Sequence, residues 1–328
     1  MSAFREPVLA KSLWQVVNTF GPFFLVCAAL YLLIEVSYLA TLALSALAAA
    51  LVVRIFIIQH DCGHYAFFKS RWANVALGTA CSIITFTPFL HWRQQHARHH
   101  RVWNNLDRRE SGVDFYSSCA TREEFDRFSG WEKLKYRLIR APIVSLLILP
   151  PLIFLVLYRF SFDTKREEWK ARLSVLATNL ALAGVFVGLG STFGFAHVAE
   201  IHLPIISLAA IIGVWLFSVQ HRFERALWGR QTKWDSVSAS LQSSSFLRLP
   251  KALQWLTGNI GFHHVHHLNP LIPNYRLEEC HDSVPALQAV PAMSFRKALK
   301  SSQFILWDEH EARLVRHRLP ESRETGIS

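Results

Sequence analysis

The sequence predicts an all-α integral membrane protein: two transmembrane helical hairpins, about four spans in all, with interfacial helices and a cytoplasmic helical cap. Three observations predict this fold class. Hydrophobic residues make up 51% of the 328 residues, and the mean hydropathy is +0.20. The apolar residues form runs long enough to cross a bilayer, which takes about 20 residues per helix. Histidines are concentrated in three short groups beside those runs.

The first hairpin occupies the apolar run from Phe20 to Ile58, which only Glu35 and Arg54 interrupt. The run is too long for one span and suits two helices joined by a tight turn near residues 35–38. A cleavable signal peptide would have one short apolar core followed by a polar region, whereas here a second apolar core follows at once. The hairpin is therefore predicted to stay in the membrane.

Basic residues predict which side of the membrane each end of the hairpin faces. The polar segment 1–13 carries Arg5 and Lys11, whereas the turn near residues 35–38 has no Lys or Arg. Because Lys and Arg are enriched in cytoplasmic segments, the amino-terminal segment and the first histidine group are predicted to be cytoplasmic. The same orientation is supported by the basic residues beside the end of the second helix, Arg54, Lys69 and Arg71.

The middle of the chain is predicted to remain on the cytoplasmic side. The apolar stretch from Trp72 to Leu90 contains Pro88 and separates the first two histidine groups. If it crossed the bilayer, those groups could not share a site, so it is predicted to be an interfacial or re-entrant helix. The mixed-charge segment 101–140 is predicted to form a cytoplasmic lobe with an amphipathic helix over residues 122–139.

A second hairpin is predicted from two further apolar segments, Leu173 to Phe195 and Leu203 to Val219, whose connection has no Lys or Arg. Two histidines in or beside that connection, His197 and His202, are predicted to lie on the side of the membrane opposite the three groups. Before this hairpin, the pair Pro150-Pro151 is predicted to prevent a straight helix.

The polar segment after the second hairpin carries the third histidine group. It ends in a charged tail, residues 283–328, predicted to be helical from about Phe295 and partly disordered. The whole chain, residues 1–328, is predicted to be a single domain.

Composition argues against two other classes of protein. The formal net charge is +11, but the basic residues are scattered beside apolar spans, so no nucleic-acid partner is expected. Membrane orientation and an acidic protein partner explain the charge better. The five cysteines have no C-x-x-C spacing, which argues against a disulfide framework or a thiolate zinc site.

Eight histidines form the three groups: two in Q-H-D-C-G-H, three in Q-H-A-R-H-H, and three in the H-x-x-H-H pattern of the stretch H-H-V-H-H. If each group is helical, positions i, i+3 and i+4 lie on one face with Cβ atoms about 5–6 Å apart, so each group presents its imidazoles to one point. One metal ion cannot use eight ligands, whereas two ions can. Imidazole suits iron, copper, zinc and nickel, so residue type alone leaves the metal open. The expected ligands are His60, His64, His96, His99, His100, His263, His266 and His267.

Several residues beside these groups have more than one interpretation. Asp61 and Asn259 are candidates to fix the tautomer of a ligand ring, Asn259 through a bound water, although Asp61 could cap a helix and Asn259 could turn the loop. His264 lies on a different helical face from its neighbours and is predicted not to bind metal. Glu278 and His281, which form an E-x-x-H, are predicted to be surface residues.

The three groups together resemble the histidine boxes of the membrane fatty acid desaturase and hydroxylase superfamily, H-x-x-x-H, H-x-x-H-H and H-x-x-H-H. Four other stretches are similar to bacterial acyl-lipid desaturases: N-L-D-R-R at 105–109, V-Q-H-R-F-E at 219–224, L-P-K-A-L-Q-W-L-T-G-N-I-G-F-H-H-V-H-H-L at 249–268 and I-P-N-Y-R-L at 272–277. The resemblance covers roughly residues 59–282.

This resemblance implies a non-haem di-iron centre that activates O₂ and leaves a cis double bond in an acyl chain, with an acyl lipid as substrate. It adds His221 to the expected ligands, because His221 matches an extra histidine near the end of a later transmembrane helix. With the predicted orientation, it implies a bacterial inner-membrane enzyme whose active site faces the cytoplasm. No residue is assigned to substrate binding.

Electrons are expected to come from a separate protein, an acidic ferredoxin-like donor that docks on the basic cytoplasmic surface. The sequence has no fused cytochrome-type module, no flavin fingerprint and no C-x₂-C-x₂-C run. A hydroxylase, alkane monooxygenase or carotenoid ketolase of the same superfamily would keep the site and change the product. A membrane metal transporter or sensor is an alternative of another class, although transporters place ionisable residues within their spans.

Overall fold

The computed structural model describes residues 1–109, 116 and 118–316. The part of the predicted charged tail at residues 317–328 lies outside these described residues. In the described part of the chain, four helices are long and apolar enough to cross a membrane, and they form two hairpins. The predicted architecture of two transmembrane hairpins is therefore confirmed.

The first hairpin consists of α1, Leu9–Leu33, and α2, Tyr38–Gly63. The turn contains Glu35, as predicted, because a carboxylate is costly inside a bilayer. Ser37 begins α2 by accepting a hydrogen bond from the backbone N–H of Ala40 at 3.3 Å. The first turns of α2 are largely exposed and its last turns are buried, so its C-terminal end lies inside the protein.

The third apolar stretch forms α3, Arg71–Thr85, and α4, Phe89–Val102, whose axes differ by 101°. The chain turns at Phe86, which has a left-handed φ of 57°. At Gly78 of α3 a Cβ atom would lie 2.4 Å from the ring of Phe89, so α4 begins in close contact with α3. A bend this large is not a straight crossing, in agreement with the predicted interfacial or re-entrant helix.

The charged segment forms two short helices, so the prediction of a single amphipathic helix over residues 122–139 is wrong. The elements of this segment are β1, Ala120–Thr121, α5, Arg122–Arg127, and α6, Gly130–Arg140. Each helix begins with a capping box. The hydroxyl of the first residue accepts from the backbone N–H of a glutamate three residues later, and the carboxylate of that glutamate accepts from the backbone N–H of the first residue. The second box, at Ser129 and Glu132, interrupts the predicted helix because Ser129 has an extended backbone.

The segment before the second hairpin is irregular, as the two prolines predict. It begins as a π-helix, Ile143–Ile148, and continues as α7, Leu149–Leu155. Pro150 and Pro151 lie in the first turn of α7, where a missing backbone N–H costs little. The segment is also bent by 54° from α6.

The second hairpin consists of α8, Trp169–Phe193, and α9, Phe195–His221. Their connection is the single residue Gly194, whose φ of 88° is accessible to glycine at little cost. The predicted start of the second span at Leu203 is therefore wrong. Because Gly194 reverses the chain by itself, the polar residues after it are helical.

The two hairpins meet at their turns, at the end opposite the three histidine groups. His202 Nε2 lies 3.0 Å from the hydroxyl of Tyr31 at the end of α1, and His197 Nδ1 lies 3.4 Å from Glu35 in the first turn. The other ends of α2 and α9 carry the first histidine group and His221. His197 and His202 therefore lie at the end of the helices where they are predicted.

After α9 the chain builds a cap of short helices and two small sheets. The helices are α10, Ser236–Gln242, α11, Lys251–Leu256, α12, His263–Leu268, α13, Leu277–Ser283, α14, Pro285–Gln288, and α15, Phe295–Ser301. The strands are β2, Phe246–Leu247, β3, Ala292–Met293, β4, Phe304–Asp308, and β5, Arg313–Arg316. Strand β4 pairs parallel with β1 and antiparallel with β5, and β2 pairs parallel with β3.

The helix predicted from about Phe295 ends at Ser301, and the chain beyond it is extended. Ile305, Leu306 and Trp307 of β4 are buried, and β-branched and aromatic residues such as Ile305 and Trp307 favour strands. The cap is therefore mostly helical with two small sheets, which the all-α prediction does not include.

Candidate metal centre

The nine histidines predicted as ligands come from four helix ends that meet in the cap. α2 supplies His60 in its last turn and His64 directly after it, and α9 ends at His221. The other six are His96, His99 and His100 of α4 and His263, His266 and His267 of α12. All nine side chains are buried or half-buried. Segments separated by more than a hundred residues thus place their imidazoles together.

The ring nitrogens form two adjoining groups that could each hold a metal ion. In the first, the five-histidine group, the candidate nitrogens lie within 4.8 Å of one another; its members are His60, His64, His96, His100 and His266. The second, the four-histidine group, consists of His99, His221 and His267, with His263 in contact with His221. The rings of His100 and His267 stack at 4.3 Å between centroids and join the two groups.

The second and third boxes each divide between the two groups, so the prediction that each box presents its rings to one point is wrong. In α4, His96 and His100 belong to the five-histidine group, whereas His99 belongs to the four-histidine group. On an α-helix, position i+4 lies about 40° from position i, and i+3 lies about 60° away on the other side. The i, i+4 pair therefore faces one group and the i+3 residue the other. In α12 the same spacing sends only His266 to the five-histidine group.

Neighbouring rings in the five-histidine group face one another through Nε2. His96 Nε2 lies 3.0 Å from His60 Nε2 and 3.1 Å from His100 Nε2. His266 Nε2 lies 3.0 Å from His100 Nε2. The fifth member, His64, has a buried Nε2 without a hydrogen-bond partner.

His221 is the centre of the four-histidine group. Its Nε2 lies 2.9 Å from that of His263, 3.1 Å from that of His99 and 3.2 Å from that of His267. Two nitrogens bound to one metal ion at about 2.1 Å and at right angles to each other are about 3.0 Å apart. The nitrogen spacing in both groups therefore fits the coordination of a metal ion.

The protonation state of the rings also fits metal binding. Burial lowers the pKa of His266 and His267 well below the ordinary histidine value, and the neighbouring histidines lower it further. These rings are therefore neutral at pH 7, and a neutral imidazole offers a lone pair to a metal. A metal ion would also satisfy the buried Nε2 of His64, which otherwise costs free energy because it is unpaired.

Asp61 lies beside His60, with 3.3 Å between its Oδ1 and the ring Nδ1. Both side chains are buried. The Nε2 atom of the same ring faces the five-histidine group. Asp61 thus occupies the position from which a carboxylate can fix the tautomer of a ligand ring.

Asn259 makes no direct hydrogen bond to a histidine among the described residues, and its predicted role through a bound water stays a prediction. Its Nδ2 donates to the backbone carbonyl of Asn274 at 3.0 Å. Its φ of 58° lies in the left-handed region, which asparagine adopts more readily than most residues. These observations favour the alternative that Asn259 turns the loop before α12.

His264 is fully buried and belongs to neither group, as predicted for a non-ligand. Its Nε2 lies 3.0 Å from Nδ1 of His281. The prediction that His281 is a surface residue is therefore wrong, because its ring is buried between His264 and Phe246. Glu278 is half-exposed and forms an ion pair with Lys251.

Two tryptophans pack against the histidine rings, a role that sequence analysis missed. Trp92 stacks on His96 with 4.7 Å between ring centroids, and Trp103 lies 4.5 Å from His267 by the same measure. Both are buried, so they exclude water from one side of the site and restrict the rings. Sequence spacing could have indicated the role of Trp92, because it precedes His96 by four residues and so lies on the same face of α4.

A close backbone contact at Gly261 positions the third box. The amide of Leu247 donates to the carbonyl of Gly261 at 2.8 Å, and a Cβ atom at Gly261 would lie 2.5 Å from the carbonyl oxygen of Leu247. We expect Gly261→Ala to destabilise the fold by about 1–3 kcal/mol, because a backbone atom must move. Thermal unfolding of the purified protein in detergent measures this. Gly184→Ala, where nothing lies within 4 Å, is the control and should be no less stable than the wild type, because alanine favours the interior of α8.

Comparison with known proteins gives consistent matches. The family model described as fatty acid desaturase matches residues 37–296, which include all nine histidines. A fatty acid desaturase of Bacillus subtilis is 42% identical over 318 residues, which cover 97% of this chain and 89% of the relative. An sn-1 oleoyl-lipid 12-desaturase of Picosynechococcus is 29% identical over 230 residues, covering 70% of this chain and 64% of that protein. An sn-1 acyl-lipid omega-3 desaturase (ferredoxin) of Synechocystis is 25% identical over 248 residues, which cover 70% of this chain and 63% of that protein.

Proposed function

Because this chain belongs to the fatty acid desaturase family, we propose that its nine converging histidines hold two iron ions, with which the enzyme uses O₂ to introduce a cis double bond into an acyl chain. The observation that carries this proposal is the division of the nine rings into two adjoining groups with Nε2 atoms about 3 Å apart. The family consists of enzymes, so the alternative of a metal transporter or sensor is set aside.

The reaction removes one hydrogen from each of two adjacent methylene groups. With two electrons from a donor and two protons, these two hydrogens reduce O₂ to two water molecules, so atoms and electrons balance. Side-chain acids and bases cannot remove hydrogen from an unactivated methylene, and bound iron would supply the O₂-activating redox chemistry. The histidines would hold the ions as neutral ligands, and Trp92 and Trp103 would limit access of water to the rings.

The proposed substrate is an acyl chain carried by a membrane lipid. The chain has several apolar helices and is a membrane protein of a family that acts on lipids. The histidines lie at the ends of α2 and α9, where an acyl chain could reach them from the bilayer. Two of the relatives are named as acting on oleoyl-lipid and acyl-lipid, which supports a lipid-bound substrate here.

We place the enzyme in a bacterial inner membrane with the metal centre on the cytoplasmic face. Basic residues support this orientation, because Lys11 and Lys69 lie at the ends of α1 and α2 that adjoin the site. The opposite ends are connected by residues 34–37 and by Gly194, which include no Lys or Arg. Cytoplasmic segments are enriched in basic residues.

The proposed electron donor is a separate acidic protein of the ferredoxin type. The name of the Synechocystis relative includes ferredoxin. Five basic residues and three acidic residues line one groove of the cap, which gives it a basic character suited to an acidic partner. The basic residues are Arg122, Lys133, Arg137, Arg313 and Arg316.

Lipid analysis of a bacterial host that expresses the protein tests the proposed reaction. We expect a new cis-unsaturated fatty acid in the host lipids by gas chromatography and mass spectrometry, and no new product with His60→Ala. Purified wild-type protein should contain two iron ions per chain by elemental analysis. A new hydroxyl or keto product without a new double bond would instead support a hydroxylase, alkane monooxygenase or ketolase.

A further inference from the structure

A buried network of hydrogen bonds connects the five-histidine group to α1 through Asn274. Asn274 follows the third box and is 1% exposed. Its backbone N–H donates to Asp61 Oδ2 at 2.6 Å, and its side-chain Nδ2 donates to the same oxygen at 2.8 Å. One residue thus supplies two donors to one carboxylate oxygen.

These bonds leave the other oxygen of Asp61 for His60. Oδ1 of Asp61 lies 3.3 Å from Nδ1 of His60. Asp61 is 2% exposed, and no Lys or Arg in the described part of the chain forms an ion pair with it. A buried carboxylate without hydrogen-bond donors is costly, so the two donors of Asn274 are what hold Asp61 in this position.

The side chain of Asn274 is itself fixed by Gln15 of α1. The two amides form a reciprocal pair: Gln15 Nε2 donates to Asn274 Oδ1 at 2.8 Å, and Asn274 Nδ2 donates to Gln15 Oε1 at 3.2 Å. Asn259 bonds the backbone carbonyl of Asn274 from the other side. The amide of Asn274 therefore has one orientation, with its NH₂ group directed at Asp61.

We propose that Asn274, held by Gln15, is a positioning residue for the metal centre, which acts through Asp61 to fix the ring of His60. A neutral imidazole carries one proton, and an acceptor at Nδ1 selects the tautomer whose lone pair is on Nε2. Nε2 of His60 is the atom that faces His96 in the five-histidine group. This inference rests on the proposed function, because it assigns His60 Nε2 to an iron ion.

The proposal predicts an unequal effect on the two metal ions. The side-chain amide of Asn274 contacts the ligand system through Asp61 and His60, and His60 belongs to the five-histidine group. Asn274→Ala removes the side-chain donor to Asp61 and keeps the backbone N–H donor, so we expect it to weaken iron binding at that group by about 10-fold, the lower end of the usual effect of a residue that orients a ligand. The four-histidine group should keep its ion, so iron should fall from two ions to about one per chain after limited chelation.

The experiment measures iron per chain and iron release to a chelator for wild type, Asn274→Ala and Gln15→Ala. Gln15→Ala leaves the Asn274–Asp61 bonds in place and should cause a smaller change in the same direction. Visible absorption of the cobalt(II)-loaded proteins reports the ligand field and should change in both variants. Asn179→Ala is the matched control: its amide makes two hydrogen bonds to Arg159 in the membrane segments, away from every histidine of the site.

The outcomes separate this inference from the proposed function. Wild-type protein that binds no iron would contradict the proposed function. Wild-type protein with two ions, together with unchanged iron release and unchanged cobalt absorption in both variants, would overturn the role of Asn274 alone. If Asn274→Ala does not fold, Gln15→Ala decides: release like that of the Asn179→Ala control overturns the role, and faster release supports it.

Discussion

Replacing His266 with alanine is expected to abolish fatty acid desaturation and to remove iron from the five-histidine group. His266 is 1% exposed, and its Nε2 lies 3.0 Å from Nε2 of His100. Its ring also lies 4.4 Å from that of His60 between centroids, so through His266 the third box contacts both the first and the second box. Residues that only orient a ligand typically cost about 10–100-fold, and we expect loss of a ligand itself to cost more than about 100-fold in turnover. Product formation and iron content of the purified variant measure this.

His264→Ala controls for damage to α12. His264 lies two residues earlier on the same short helix and is equally buried, but its ring nitrogen bonds His281 and belongs to neither group. We expect this variant to keep both iron ions and most of its activity, with some loss of stability because His281 loses its partner. Equal loss of iron in the two variants would show that the integrity of α12, and not ligation by His266, determines the result.

The transmembrane part of the fold could be predicted because its physical constraints are local. Glu35 marks the first turn, since a carboxylate inside a bilayer is costly and a turn places it at the membrane edge. The second hairpin was predicted with the wrong start because Gly194 alone reverses the chain, and polar residues after it continue in a helix. A turn of one residue leaves little trace in a hydropathy profile.

The sheets of the cap could not be predicted for a different reason. Strand β1 has two residues and pairs with β4, which lies more than 180 positions later. Strands this short have no period that can be counted, and pairing at this distance leaves no local signal. The antiparallel pair of β4 and β5 was missed because the charged residues around it resemble a solvated helix.

The histidine spacing predicted convergence but not how the rings divide. His99 and His100 are neighbours in sequence and belong to different groups, because adjacent helical residues point about 100° apart. Which group each residue joins depends on the angle between α4 and α12, and that angle is a tertiary property. Asn274 was missed for the same reason: it lies in a motif that resembles desaturases, but its contact with Asp61 spans 213 residues.

His221→Ala is expected to be as severe as loss of a box histidine, although His221 lies outside the three boxes. It is fully buried, and its Nε2 contacts all three other members of the four-histidine group within 3.2 Å. Alanine would remove the central ring. The Nε2 atoms of His99, His263 and His267 would then lose their shared contact with His221. We expect the rate of desaturation to fall by more than about 100-fold, which exceeds the usual effect of losing a residue that only orients a ligand. The iron content should fall from two ions to about one per chain.

His221 is not a member of the five-histidine group, so the remaining ion should be the one held by that group, and its Mössbauer signal should match one component of the wild-type spectrum. His197→Ala is the control, because His197 lies on the same helix at the opposite end, beside Glu35. That variant should keep wild-type iron and activity. Equal loss at His197 would contradict the separation of the two helix ends, whereas two bound ions and normal turnover in His221→Ala would show that the four-histidine group does not hold metal.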